Sequence, residues 1–143
     1  MKHSAFLFIL LSVAACVQRP QPMSPPPFLG RISVAWVEQM RREGMEIINL
    51  TARVDGRLRI VNDCVVIGDV RPVVAIVPHT VQLVRHRNGF ALKTEKGDIF
   101  PIGTRIIGSG GYGGEHLAQT NLESAIPERC RSFGTFTLNS IQK

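Results

Sequence analysis

Between residues 47 and 107 the chain is cut into short apolar runs by turn-forming residues, and this punctuation limits the fold more than any other feature. Ile48, Leu50, Ala52 and Val54 alternate with Ile47, Asn49, Thr51 and Arg53. Asp55-Gly56 follows, and then Leu58 and Ile60 alternate with Arg57 and Arg59. Asp-Gly between two alternating runs predicts a β-hairpin, because both residues accept the positive φ of a type I′ turn. Residues 64–67 and 73–77 are continuous apolar runs of the kind that cross a buried sheet, broken by Gly68-Asp69 and by Pro78-His79. Short strands are predicted over 81–85, 90–94, 98–102 and 105–107, separated by Asn88-Gly89, Lys96-Gly97 and Gly103-Thr104. Such spacing favours a meander, sandwich or small barrel over a parallel α/β sheet.

The ends of this block are read as follows. Residues 31–42 fit two patterns: Ile32, Val34 and Trp36 alternate like a strand, while Ile32, Ala35, Trp36 and Met40 would line a short helix. A strand ending before Arg41-Arg42-Glu43-Gly44 is the reading adopted. Residues 121–125 give one or two helical turns stopped by Pro127, and 132–138 a last strand. The expected fold is all-β: a small antiparallel barrel or sandwich of about 6–8 short strands with at most one short helix.

Upstream, Met1-Lys2-His3, an apolar run over 5–13 and the small pair Ala14-Ala15 have the form of a secretory signal. Val13-Ala14-Ala15-Cys16 resembles the lipobox of bacterial lipoproteins. The resemblance implies cleavage before Cys16, attachment of a diacylglycerol to its sulfur and acylation of the new amino terminus, which together anchor a protein stably. The alternatives are an ordinary signal cut after Ala15 or an uncleaved span, but the apolar run is about half the ~20 residues a helix needs to cross a bilayer. Val17 after Cys16 resembles the pattern of outer-membrane lipoproteins facing the periplasm. Five prolines fall within residues 17–27, which reads as a semi-rigid tether. The organisation is therefore signal peptide 1–15, lipidated cysteine and tether 16–27, and one β domain 28–143.

With Cys16 given to lipid, Cys64 and Cys130 remain as an even pair in an oxidising compartment, and a disulfide between them is expected. Two unrelated buried thiols are the alternative. The order Asp63-Cys64-Val65-Val66, Ala75-Ile76-Val77-Pro78-His79, Ile102-Gly103-Thr104-Arg105-Ile106, the glycines over 108–114 and then Cys130 is similar to that of small exported bacterial proteins. That resemblance implies a shared disulfide-linked β domain and carries no activity with it.

Gly108-Ser109-Gly110-Gly111-Tyr112-Gly113 satisfies G-x-G-x-x-G, but no long helix or second βα unit follows to make a dinucleotide site. It is read as a loop or wide hairpin. His79, His86 and His116 have no ligand at i, i+2 or i, i+4; His79 and His116 with Glu115 would form a site only if loops converged. Ser109 lacks a nucleophile-elbow context. No cofactor, metal or nucleic acid is expected, and the chain is read as a non-enzyme.

Loss of Lys2 leaves 16 basic against 11 acidic residues in the mature chain, and thirteen of the full chain's basic residues are arginine. Arginine's planar fork suits phosphate, carboxylate or sulfate. Arg57 and Arg59 share one face of a strand, with Arg53 expected just across the Asp55-Gly56 turn. The three are a solvated edge kept charged against aggregation or a stripe for an anionic partner. The functional expectation is a lipid-anchored envelope protein working through interaction; the alternatives are a binding module for an anionic polymer and a hydrolase with a hidden site.

Overall fold

The structure, a computed structural model, describes residues 24–44, 52–113 and 121–143. The leader with Cys16, residues 47–51 of the alternating run, and Glu115 with His116 lie outside the described residues.

Strand β1 (Gly30–Arg31) leads into helix α1 (Val34–Arg42). Then come β2 (Ala52–Val61), β3 (Cys64–Ile67), β4 (Val73–Val77), β5 (Gln82–His86), β6 (Gly89–Lys93), β7 (Ile99–Pro101) and β8 (Arg105–Gly113). The short helix α2 (Glu128–Arg131) and β9 (Gly134–Gln142) complete the chain. Five strands close into a barrel in the order β2-β3-β4-β9-β8 and back to β2, while β5-β6-β7 form a separate antiparallel sheet. The expected β barrel is thus present. Its closure differs from an all-antiparallel one, because β4 and β9 run parallel from Val73↔Gly134 to Ile76↔Thr137. Strand β8 returns after a long connection to lie beside β2, giving the spatial order β8-β2-β3-β4 of a Greek key.

Four local expectations are corrected. First, β2 is one continuous strand, and Asp55-Gly56 sits in its middle, opposite Ile107 and Ile106 of β8. The hairpin turn falls instead at Asn62 and Asp63, both at positive φ, 50° and 57°, since these side chains also tolerate the left-handed region. Gly56 is needed for a different reason: a Cβ there would lie 2.7 Å from the Cα of Gly68. Second, residues 34–42 form helix α1 rather than a strand. Its last turn carries Arg41 and Arg42 at the negative end of the helix dipole, and Gly44 at φ 65° lets the chain leave.

Third, the single expected helix is displaced and joined by a second. Residues 121–125 are held in a bent, non-helical path around an isolated bridge from Leu122 to Ile32, by Ser33 N–H to Asn121 O (2.8 Å) and Glu123 N–H to Arg31 O (2.9 Å). The helical turn starts only after Pro127, because the residue before a proline is pushed out of the α region. Fourth, Gly108 to Gly113 are the second half of β8, not a loop. A Cβ on Gly110 would strike the carbonyl oxygen of Thr137, and one on Gly108 would strike the Leu138 side chain. The glycines therefore let β8 lie tightly against β9, with a bulge between Ser109 and Gly110.

Two apolar clusters sit on opposite sides of β3 and β4. Inside the barrel, Val54, Leu58, Val65, Ile67, Ala75, Val77, Ile106, Phe136 and Leu138 pack together, with Val81, Leu92 and Phe100 joining from the three-stranded sheet and the chain before it. Outside it, Cys64, Val66, Val74 and Ile76 are covered by Ile126 and Cys130, with Phe28, Ile32, Leu122 and Phe133 around them. Burial on both faces explains why β3 and β4 are uninterrupted apolar runs. The Cys64–Cys130 disulfide, with Cα atoms 5.9 Å apart, ties the cover to the start of β3.

Candidate functional site

In contrast, the outer side of β2 is bare. Its ten residues alternate, so Val54, Gly56 and Leu58 point inward while Arg53, Asp55 and Arg57 are exposed and Arg59 is half-buried. The three arginines singled out from the sequence therefore share one face of a single strand, rather than meeting across a turn. Antiparallel pairing adds a fourth that the sequence reading missed: Arg105, the first residue of β8, lies directly opposite Arg57. No local pattern reveals it, because the two residues become neighbours only through the register of β2 and β8.

Asp55 organises the middle of this face. Its carboxylate accepts a 2.8 Å hydrogen bond from Arg105 Nε and lies 4.0 Å from an Arg53 guanidinium nitrogen. The hydrogen bond from Arg105, and then the charges of Arg105 and Arg53, hold the Asp55 carboxyl below its ordinary value near 3.8. The same hydrogen bond raises Arg105. Arg57 donates to the carbonyl of Gly103 at 3.2 Å, and Arg59 to that of Asp69 at 3.3 Å. These carbonyls come from the two loops flanking the face, residues 68–72 and 102–104. Two guanidinium groups thus flank the Asp55 carboxylate, the charge of Asp69 also acts on Arg105, and Arg57 and Arg105 are like charges in directly paired positions, a cross-strand arrangement that is unfavourable on its own.

Among the described residues, the other sequence candidates do not converge. His79 and His86 are half-buried and lie on separate segments, and no group of three or more possible metal ligands occurs among the described residues. The Ser109 hydroxyl, half-buried, lies 2.7 Å from that of the exposed Ser140. The backbone of Gly108 to Gly113 is engaged in ladders with β2 and β9, so it is not a cradle for a pyrophosphate. An open groove of about 420 Å³ runs between the β6–β7 turn at Thr94 to Asp98 and the end of β9, floored by Val81, Leu138 and Ile141.

Five-stranded Greek-key barrels of the OB type bind oligonucleotides and oligosaccharides on the face of their second and third strands. Here the corresponding face, β3 and β4, is filled by the second apolar cluster and sealed by the disulfide. Architecture alone therefore does not transfer a ligand. Comparison with known proteins finds no matching family model, no similar curated protein and no matching solved structure.

Proposed function

We propose that the chain is a lipid-anchored protein of the bacterial envelope, on the outer membrane facing the periplasm, whose β domain acts by binding a partner. The observation that carries this reading is the buried Cys64–Cys130 disulfide. A structural disulfide supports an oxidising compartment, and it leaves Cys16, in its lipobox-like setting, as the third cysteine of the chain. Blocking the lipoprotein signal peptidase should leave an unprocessed precursor, and changing Cys16→Ser should leave one without acyl label, because the sulfur that takes the lipid is gone. A Cys16→Ser protein that is still cut to the same size and stays on the membrane would overturn the anchor.

A second reading, a module for an anionic polymer, is supported by the gathering of Arg53, Arg57, Arg59 and Arg105 on one exposed face. Binding to lipopolysaccharide should weaken as salt rises, because at about 0.15 M the screening length is already about 8 Å. Changing Arg53, Arg57 and Arg59 to Gln should cost more affinity than changing Arg41, Arg42 and Arg129, which removes the same charge elsewhere. Equal losses would reduce the effect to net charge.

A further inference from the structure

We infer that the arginine face of β2 and β8, together with the loop 68–72, docks the domain onto the anionic headgroups of the membrane that holds its anchor. The inference rests on the anchored-envelope reading above and names the partner of the arginine face.

Three observations meet here. The face carries four cations, Arg53, Arg57, Arg59 and Arg105, against two carboxylates, Asp55 bonded to Arg105 and Asp69 in the adjoining loop, and Arg57, opposite Arg105, bonds a neutral carbonyl. Guanidinium forks grip phosphate oxygens two at a time, which suits lipid headgroups. The loop beside them carries Val70, 91 % exposed, the most exposed large hydrophobic residue among those described. That loop is fixed to the face at its base, by Gly68 N–H to Arg57 O at 3.0 Å and by Arg59 to Asp69 O. An apolar tip beside a basic surface matches the two demands of an interface: phosphates for the cations, and the acyl boundary for the aliphatic group. Arg71, next to Val70 and exposed, extends the basic rim.

The chain length permits the orientation. Phe28 is bonded to both ends of the turn into β3, through Asp63 O and Val65 N–H, and the four residues of β3 separate that point from Gly68 by about 13 Å. Eleven residues separate Cys16 from Phe28, and a proline-rich chain rising about 3.1 Å per residue covers the twelve steps between them in roughly 37 Å. That reach exceeds the separation of Phe28 from the loop, so the length of the tether is compatible with this face meeting the bilayer.

The test uses the full processed, lipidated chain, reconstituted in vesicles of phosphatidylcholine alone or with phosphatidylglycerol. Hydrogen exchange at the amides of residues 69–71 should slow several-fold in the anionic vesicles and recover in high salt. Val70→Asp should abolish the slowing while detergent-solubilised protein still binds dextran sulfate; Arg57→Gln with Arg105→Gln should lose both. Equal exchange in the two vesicle types, with dextran sulfate binding intact, would overturn docking and leave the polymer reading standing. Loss of dextran sulfate binding in the unaltered protein as well would overturn both.

Discussion

Strands β2 and β3 are neighbours in one barrel, share a hairpin and pair from Leu58↔Ile67 to Val61↔Cys64, yet their outer faces have opposite fates. Outside β3, Cys64 and Val66 are wholly buried under the segment that carries Ile126 and Cys130. Outside β2, Arg53, Asp55 and Arg57 meet solvent. A barrel this small has only one interior, so what happens to its outside depends on which strands the rest of the chain crosses. The chain spends its two flanking segments, 28–32 and 121–133, on the β3–β4 side. That leaves the β2–β8 side exposed. The difference assigns stability to one face and leaves the other as the one on which the proposed interaction would act.

The largest test of that division is removal of the disulfide on the covered side. The bond closes a loop of 66 residues, and replacing both cysteines with alanine should cost about 4 kcal/mol in the chain-entropy account, read as a fall in the urea midpoint. Loss of less than about 1 kcal/mol, which is below the usual disulfide range, would mean the cover is held by packing alone. At the boundary between the two sides, Gly56→Ala places a methyl 2.7 Å from Gly68 Cα and 2.9 Å from its nitrogen. Backbone cannot yield as a flexible side chain does, so a loss of about 1–3 kcal/mol is expected. A neutral result would reopen the turn reading of Asp55-Gly56.

On the bare side the same experiments should show almost nothing. Arg57→Gln is expected to change stability by no more than about 0.5 kcal/mol, and in the favourable direction if repulsion from Arg105 outweighs the bond to Gly103 O. A large loss would make Arg57 a structural residue and weaken the contrast. The smallest effect is in the titration of Asp55. Its folded carboxyl titrates below its ordinary value near 3.8, so the linked stability is present above that value and fades as pH falls through the folded one. Carboxyl chemical shifts followed by NMR should give a midpoint below 3.8 that moves back toward it in Arg105→Gln. An unchanged midpoint in the variant would remove Arg105 as the cause.

Much of this molecule was legible in its residues taken a few at a time. The doubly buried character of β3 and β4, the turns at Gly68, Gly97 and Gly103 and the β barrel follow from runs and turn residues, and the pairing of Cys64 with Cys130 from the cysteine count. Two of the misreadings share a physical source. Glycines at 56, 108 and 110 look like turn residues because local rules know only their freedom in φ, whereas here each is small so that another segment can come close. The helix over 34–42 was equally ambiguous: its apolar residues fit both periods, and what kept β1 to two residues was pairing with the far half of β4 and a bridge from Ile32 to Leu122.

The candidate site divides along the same line. Arg57 and Arg59 could be picked out from the sequence because alternation along one strand is a local property, whereas Arg53 was grouped with them across an expected turn that the continuous β2 replaces. Arg105 could not, since it reaches them across a register set by the whole β2–β8 ladder; nor could the part of Asp55, which is a turn residue by composition and an anchor for two guanidinium groups by position. Alternation and turn chemistry act between neighbours and are written into short stretches of chain. Which strand pairs with which, which face is covered and which charges meet are decided by contacts between distant segments, and those exist only once the barrel has closed.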